Sequence, residues 1–411
     1  MSNARDKNSK TDPAPPRHIY AADLHGISRL GLAAAEEVID MVEFLHARFL
    51  VRDTTGGVTG FVYRRARATT AVLGRWMDAR LDRQPGAGPG TRSSPEREAV
   101  LAALNGVVGD FLSLSGNALA IPMRLRRHGQ PLALERTALA EAIPEASGKL
   151  LILAHGLCRC DLQWRRNRHD HGEALARDLG YTPLYLHYNS GRHVSVNGRE
   201  LSGLLDTLVR EWPVPVEEVS ILAHSMGGLV ARSACYYGRT ARHDWRRRLR
   251  HLVFLGTPHH GAPLERTGNW LTVILGRSTF TAPFARLGQM RSAGITDLRY
   301  GNLVDADWQG RDRFEHGQDN RRRMPLPKGV KCYAIAGTTG RRLGDMRDRF
   351  LGDGVIPLDT ALGRHPDPAL TLHFPTSHTW VAFGIHHLDL LSSVEVYHKI
   401  RNWLSGNAVQ E

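Results

Sequence analysis

The sequence predicts an α/β fold with a doubly wound, mostly parallel sheet, a helical N-terminal appendage and an inserted cap. From about residue 118 onward, short apolar runs alternate with helical patterns, and strands joined by helices become parallel neighbours. Before residue 118, the apolar spacing is helical. An apolar fraction of 42% in 411 residues is enough for a large core.

The N-terminal part is predicted to contain a tail followed by helices. Residues 1–20 are polar and contain Pro13, Pro15 and Pro16, which is typical of a disordered segment. Residues 21–117 are predicted to be a helical region with breaks rich in glycine and proline. Its helical stretches are 21–50, 61–81 and 96–114. We expect this region to pack on the core, with binding to anionic lipid or dimerisation as alternatives.

Residues 118–408 are predicted to form the α/β domain. Within residues 119–134, two runs of alternating apolar and polar residues flank a His-Gly-Gln-Pro turn, and this pattern predicts a hairpin. Asn197 and Glu200 are spaced as a capping pair at a helix start. Further strands are expected at 149–154, 182–188, 219–223, 249–255, 330–336 and 369–374, and helices at 173–179, 197–212 and 387–404.

Charge and cysteine content restrict the partners and the compartment. The net charge of +13 would suit nucleic acid or anionic lipid, but the arginines are scattered and no nucleic-acid module is present. Four cysteines are too few for a disulfide scaffold, and Cys158 and Cys160 are too close together to form a zinc site alone. We expect a cytoplasmic protein without metal or cofactor, with peripheral contact to anionic membrane as an alternative. The oligomeric state is left open.

The most informative segment is L-A-H-S-M-G-G, residues 222–228. It follows an apolar strand and precedes a helical pattern, so Ser225 lies on a strand-to-helix turn of the nucleophile-elbow type. Ala223 and Gly227, two positions away on either side, are small enough for such a tight turn. The helix N-terminus points at the serine and favours negative charge there.

A serine nucleophile needs a base and a carboxylate to orient that base. The expected chain order is serine, acid, histidine. Asp353, between two glycines, is the favoured acid, with Asp345, Asp348 and Asp359 as alternatives. His387 is favoured over the adjacent His386 as the base, a preference that depends partly on the family resemblance described below.

The tetrahedral intermediate of acyl transfer needs two backbone N–H donors. Met226, directly after the serine, is expected to supply one donor. Leu157 is expected to supply the other, because it follows His155 and Gly156 at the end of the strand 149–154.

Five segments of the chain resemble those of α/β-hydrolase lipases and esterases, in particular bacterial lipase-like hydrolases of the GPI-inositol-deacylase-like branch. They are L-I-L-A-H-G-L, L-A-H-S-M-G-G-L-V-A-R, L-G-T-P-H-H-G-A-P, G-D-G-V-I-P and H-H-L-D-L-L, in that order, within a resemblance that covers about residues 119–405. The chain departs from the family pattern at Ala223, where a glycine is usual.

The resemblance implies a substrate pocket and a cap. Thr257, His259 and His260 would line the pocket, and we expect His155, Gly156 and His224 to line it as well. Residues 262–327 would form the cap. Its apolar side chains would either line an acyl channel or pack as core: Trp270, Leu271, Val273, Ile274, Leu275 and Phe280.

The expected function is a serine hydrolase that cleaves carboxylic esters, of lipid or acyl type, through an acyl-enzyme. An acyltransferase with the same triad is the first alternative. The second is a non-catalytic protein that binds a membrane or a partner and retains a hydrolase core.

Overall fold

A computed structural model describes residues 23, 26–30, 93–262, 291–312, 319, 321–341 and 352–406. The described residues form two compact units: those of 1–98 with 117–119, and those of 99–116 with 120–411. The sheet and the residues of the candidate site belong to the second unit. The predicted boundary at residue 118 stays a prediction.

Eight strands form one sheet, in the order β2-β1-β4-β3-β5-β6-β7-β8. Strand β1 is antiparallel to β2 and β4, and the other neighbours are parallel. The strands are β1 Arg124–Arg127, β2 Gln130–Pro131, β3 Lys149–Ala154, β4 Thr182–His187, β5 Glu218–His224, β6 Leu249–Leu255, β7 Lys331–Thr338 and β8 Thr379–Phe383. The predicted doubly wound, mostly parallel α/β sheet is confirmed.

Helices connect the parallel strands. The described α-helices are α1 Pro95–Leu114, α2 Arg136–Ala142, α3 His171–Leu179, α4 Val194–Glu211, α5 Met226–Thr240, α6 Trp245–Arg248, α7 Ala293–Asp297, α8 Leu358–Ala361 and α9 Val394–Leu404. Within the described ranges, no helix has both the length and the apolar character needed to cross a bilayer.

The central strands are buried on both faces, as expected for a parallel sheet covered by helices. Every residue of β4 is buried, and in β3 only Lys149 is exposed. The antiparallel edge is closed by a hairpin turn at His128 and Gly129, whose φ values of 49° and 74° suit a two-residue turn. The predicted hairpin is therefore confirmed.

The predicted capping pair at Asn197 is wrong. Helix α4 begins at Val194, and Asn197 lies buried inside its first turn, where its Nδ2 donates to the carbonyl of Asn189 at 2.9 Å. The first N–H of the helix, that of Val194, instead donates to Asp297 Oδ2 at 2.8 Å. A carboxylate from a distant segment thus supplies the cap.

The C-terminal predictions need two corrections. Residues 369–374 are not a strand: local turns hold them, and Leu372 N donates to Gly363 O at 2.8 Å. The last strand is β8, which pairs with β7. The closing helix begins at Val394 rather than His387, so His387 lies in the loop between β8 and α9.

Candidate active site

The turn between β5 and α5 holds Ser225 in a strained conformation. Its φ of 53° and ψ of −127° lie outside the regions that L-residues prefer, at a cost of about 1–3 kcal/mol. The Ser225 N–H donates to Leu255 O at 2.8 Å, which fixes the turn to β6. A Cβ at Gly227 would lie only 2.4 Å from Ala154 O, so a larger residue would push the turn away from β3.

Asp353 and His387 form a buried hydrogen-bonded pair. His387 Nδ1 lies 2.7 Å from Asp353 Oδ2, and the two residues are 2% and 0% exposed. The other carboxylate oxygen, Oδ1, accepts the N–H groups of Val355 at 3.0 Å and Ile356 at 2.8 Å. Because an ionised carboxylate only accepts, Nδ1 carries the proton and Nε2 is left as a proton acceptor.

The described alternatives for the base and the acid are exposed, unlike the buried Asp353–His387 pair. His386 is exposed, whereas His387 is buried. Asp359 is exposed, and its carboxylate lies 3.5 Å from Arg364 Nη1. Asp345 and Asp348 lie outside the described residues.

His224 connects the serine turn to the His387 loop. Its Nε2 donates to the His387 carbonyl at 3.0 Å, and the two rings have centroids 4.5 Å apart. Complete burial and the nearby His387 hold the pKa of His224 well below its usual value, so the ring is neutral. His387 is therefore anchored by its backbone to the residue that precedes Ser225.

The loop after β3 passes directly beside Ser225. A Cβ at Gly156 would lie 2.9 Å from Ser225 Cβ and 3.4 Å from its Oγ, so only glycine leaves room there. His155 stacks on Tyr188 at 4.3 Å, and the Tyr188 hydroxyl donates to His155 O at 2.8 Å. Burial lowers the pKa of His155 to about 3, so this ring is neutral as well.

The two predicted oxyanion donors belong to this neighbourhood. Leu157 is buried and directly follows Gly156, which contacts Ser225. Met226 is the first residue of α5, so its N–H has no acceptor within the helix.

Cys158 and Cys160 are buried free thiols. The Cys158 N–H donates to Ser190 Oγ at 3.0 Å. A Cβ added at Gly106, in α1, would lie only 2.2 Å from Cys158 Sγ, so α1 packs closely on this loop. Burial raises the pKa of the Cys158 thiol to about 12. This residue therefore packs the loop that carries Leu157.

The remaining predicted pocket residues contact a different group of side chains. His259 Nδ1 lies 3.3 Å from Arg232 Nη1, and His260 Nδ1 lies 2.9 Å from Arg321 Nη2. His260 Nε2 donates to Gly363 O at 2.9 Å. Thr257 is fully buried, with its Oγ1 2.1 Å from where a Cβ at Gly228 would lie. Pocket lining by these three residues stays a prediction.

One residue of the site was missed by the sequence analysis. Gly256, directly after β6, has a φ of +55°, and a Cβ there would lie 3.0 Å from Asp353 Oδ2 and 3.1 Å from His387 Cε1. The backbone directly after β6 therefore passes against the Asp353–His387 pair. The signal for this residue in the sequence is the L-G-T-P segment, residues 255–258, which contains it.

The predicted cap and appendage are described only in part. All six apolar side chains expected in an acyl channel, from Trp270 to Phe280, lie outside the described residues. The same applies to the predicted tail and to nearly all of the first two predicted helical stretches.

The family comparison agrees with this architecture. Residues 147–319 match the model of the PGAP1-like alpha/beta domain. This stretch holds β3 to β6 and the serine turn, so the resemblance stated from the sequence is confirmed at the level of the fold. The comparison with curated proteins finds no match.

Solved structures similar to this chain include three hydrolases at low identity. The mature Bacillus licheniformis lipase BlEst2 is 17% identical with a TM-score of 0.41, over 62% of this chain and 91% of that one. The Pyrococcus furiosus esterase Pf2001 is 14% identical with a TM-score of 0.36, over 64% and 83%. The Legionella pneumophila phospholipase PlaB is 16% identical with a TM-score of 0.32, over 52% and 44%.

Proposed function

We propose that this protein is a serine hydrolase that cleaves carboxylic esters, with lipid or acyl esters as substrates. Ser225 is the nucleophile, His387 the base and Asp353 the residue that orients the base. The observation that carries the proposal is the buried 2.7 Å hydrogen bond between His387 Nδ1 and Asp353 Oδ2. The loop that holds His387 is anchored by a hydrogen bond to His224, the residue before the strained Ser225.

Acylation would involve two proton transfers through His387, the formation of one C–O bond and the breaking of another. Ser225 Oγ attacks the acyl carbon while His387 Nε2 takes the hydroxyl proton. The N–H groups of Leu157 and Met226 hydrogen-bond the oxyanion of the tetrahedral intermediate. The intermediate collapses, the C–O bond to the alcohol breaks, and His387 returns the proton to the departing alkoxide.

Deacylation would repeat these steps with water. His387 takes a proton from water, the hydroxide attacks the acyl-enzyme, and Ser225 leaves with the proton from His387. Asp353 stabilises the imidazolium in both halves of the cycle. Its burial and its two backbone hydrogen bonds fix the carboxylate, so the carboxylate reorganises little when the charge on His387 appears.

The test is hydrolysis of nitrophenyl esters from acetyl to palmitoyl by wild-type protein and paired variants. Ser225→Ala and His387→Ala should lose nearly all turnover, and Asp353→Asn should lose about 10⁴-fold. The controls His386→Ala and Asp359→Asn, at exposed positions, should retain turnover within about threefold.

Two results would contradict the proposal. One is folded wild-type protein that hydrolyses none of the esters. The other is equal losses in the site variants and their controls. Product analysis with added acceptor alcohol separates hydrolysis from acyl transfer, since a transferase would form the new ester in preference to the free acid.

A further inference from the structure

One cavity of the described structure lies away from the serine turn, against the later part of α5. It has a volume of about 460 Å³. One wall comes from α5 and α6, and the other from the irregular segment 322–328. Arg232 and Arg239 follow Ser225 by 7 and 14 residues, which is about 10 and 21 Å along a helix axis at 1.5 Å per residue.

The lining of this cavity carries charge of one sign. Among the described residues, it contains six basic side chains and no aspartate or glutamate. They are Arg232, Arg239, Arg246, Arg322, Arg323 and Lys328. Another cavity, of about 560 Å³, has basic residues too, but Asp161, Asp170 and Glu173 line it with them. The excess of positive charge is therefore a property of the 460 Å³ cavity rather than of every cavity in this arginine-rich chain.

Arg232 is the buried member of the group. It is 6% exposed, its Nη2 donates to Met324 O at 2.6 Å and its Nη1 lies 3.3 Å from His259 Nδ1. Burial holds the pKa of His259 well below its usual value, so that ring is neutral. The Nε of Arg232 is buried and has no hydrogen-bond partner among the described residues. Burial and the charge of Arg321 lower its pKa to about 10, so it is still protonated near neutral pH. A buried guanidinium with an unused donor is costly unless an anion compensates it.

The carboxylate of Asp307 raises the pKa of Arg232, but this effect is smaller than those of burial and of Arg321. Asp307 accepts the backbone N–H groups of Leu303 at 2.8 Å, Val304 at 3.0 Å and Arg322 at 2.8 Å. Its hydrogen bonds hold the turn behind Arg232, and Asp307 is not among the residues that line the cavity.

The shape and chemistry of the lining favour phosphate groups. Guanidinium groups bind phosphate oxygens through two parallel N–H donors, and here they lie on both walls. Tyr236 and Leu326 also line the cavity, so an apolar part of a ligand has surface to contact. A volume of about 460 Å³ is within the range of small-molecule sites.

We infer that this cavity is a binding site, separate from the proposed ester site, for two or more phosphate groups, carried either by one soluble compound or by neighbouring phospholipid head groups. The phosphates would bind between Arg232, Arg239 and Arg246 on one wall and Arg322 and Arg323 on the other. The same chemistry is offered by a soluble phosphate compound and by an anionic phospholipid head group, which the experiment distinguishes.

The experiment measures binding of inorganic pyrophosphate to the full chain by calorimetry, and cosedimentation with vesicles of phosphatidylcholine with or without phosphatidic acid. The cavity variant is Arg239→Gln with Arg323→Gln. The control is Arg248→Gln with Arg250→Gln, which removes the same charge at exposed positions outside the cavity. Thermal unfolding and ester hydrolysis of each variant verify that the fold is intact.

We expect saturable binding of pyrophosphate that the cavity variant weakens by at least about tenfold, because two charge-assisted hydrogen bonds are lost. The control should change affinity less than about twofold. If only phosphatidic acid vesicles bind, with the same dependence on the cavity variant, the phosphate belongs to a lipid head group. Absence of both kinds of binding, or equal weakening by the two variants, would overturn the inference.

Discussion

Replacement of Gly256 by alanine tests whether β6 fixes the acid–base pair. The new Cβ would lie 2.9 Å from Leu390 Cδ1, 3.0 Å from Asp353 Oδ2 and 3.1 Å from His387 Cε1, where ordinary contacts are about 3.5–4.0 Å. Asp353 can move away only by weakening the two backbone hydrogen bonds that hold its other oxygen, so the strain is not relieved without changing the geometry of the pair. The pair would therefore move by about 0.5–1 Å, and a shift of about 1 Å can cost about 10² in rate.

The matched control is Gly180→Ala. Gly180 has a φ of +73°, similar in kind to the +55° of Gly256, but nothing lies within 4 Å of its added Cβ. Both variants should lose about 1–2 kcal/mol of stability from the left-handed backbone. Only Gly256→Ala should lose about 100-fold in kcat/KM on a nitrophenyl ester. Activity near wild type in Gly256→Ala, with the same loss of Tm as the control, would refute the reasoning.

Three further predictions follow from the buried groups. His224→Phe removes the hydrogen bond to the His387 carbonyl, so kcat should fall about tenfold with little change in KM. Kinetics extended to saturating ester measure both constants, and an unchanged kcat would contradict the prediction. Burial holds the pKa of His155 at about 3 in the folded protein, against about 6.5 in the unfolded chain. Between these two pH values only the unfolded chain binds the proton, so this residue should lower the free energy of unfolding by about 2 kcal/mol at pH 5. Urea unfolding at pH 7 and 5 should show a smaller loss in His155→Asn than in wild type, and equal losses would count against a buried neutral ring. The four cysteines are buried free thiols, so Ellman's reagent should react slowly with native protein and fully after unfolding; rapid native reaction of all four would contradict the packing.

The sequence predicted the sheet well because its signals are local. Apolar runs such as Leu150–Ala154 in β3 are long enough to be buried on both faces, and the turn at His128 and Gly129 has the residues that a hairpin needs. The start of α4 could not be predicted from its own residues, since the cap comes from Asp297, more than 100 positions away. The last strand was misplaced because its position depends on pairing with β7.

The same distinction applies to the site. Asp353 and His387 could be predicted as candidates because each lies in a recognisable segment, and the structure places them in direct contact. Gly256 was missed because its role is to leave space for Asp353 and His387, which a side chain at this position would displace. The basic cavity was also missed. Arg232 and Arg323 are 91 positions apart, and scattered arginines become a common lining only when α5 and the segment 322–328 meet.

The most direct test of the central claim is covalent labelling with a fluorophosphonate, followed by peptide mass mapping. The account predicts one adduct on Ser225, formed rapidly in wild-type protein and strongly slowed in His387→Ala. An adduct on another residue, or labelling of Ser225 that is equally fast without His387, would contradict it.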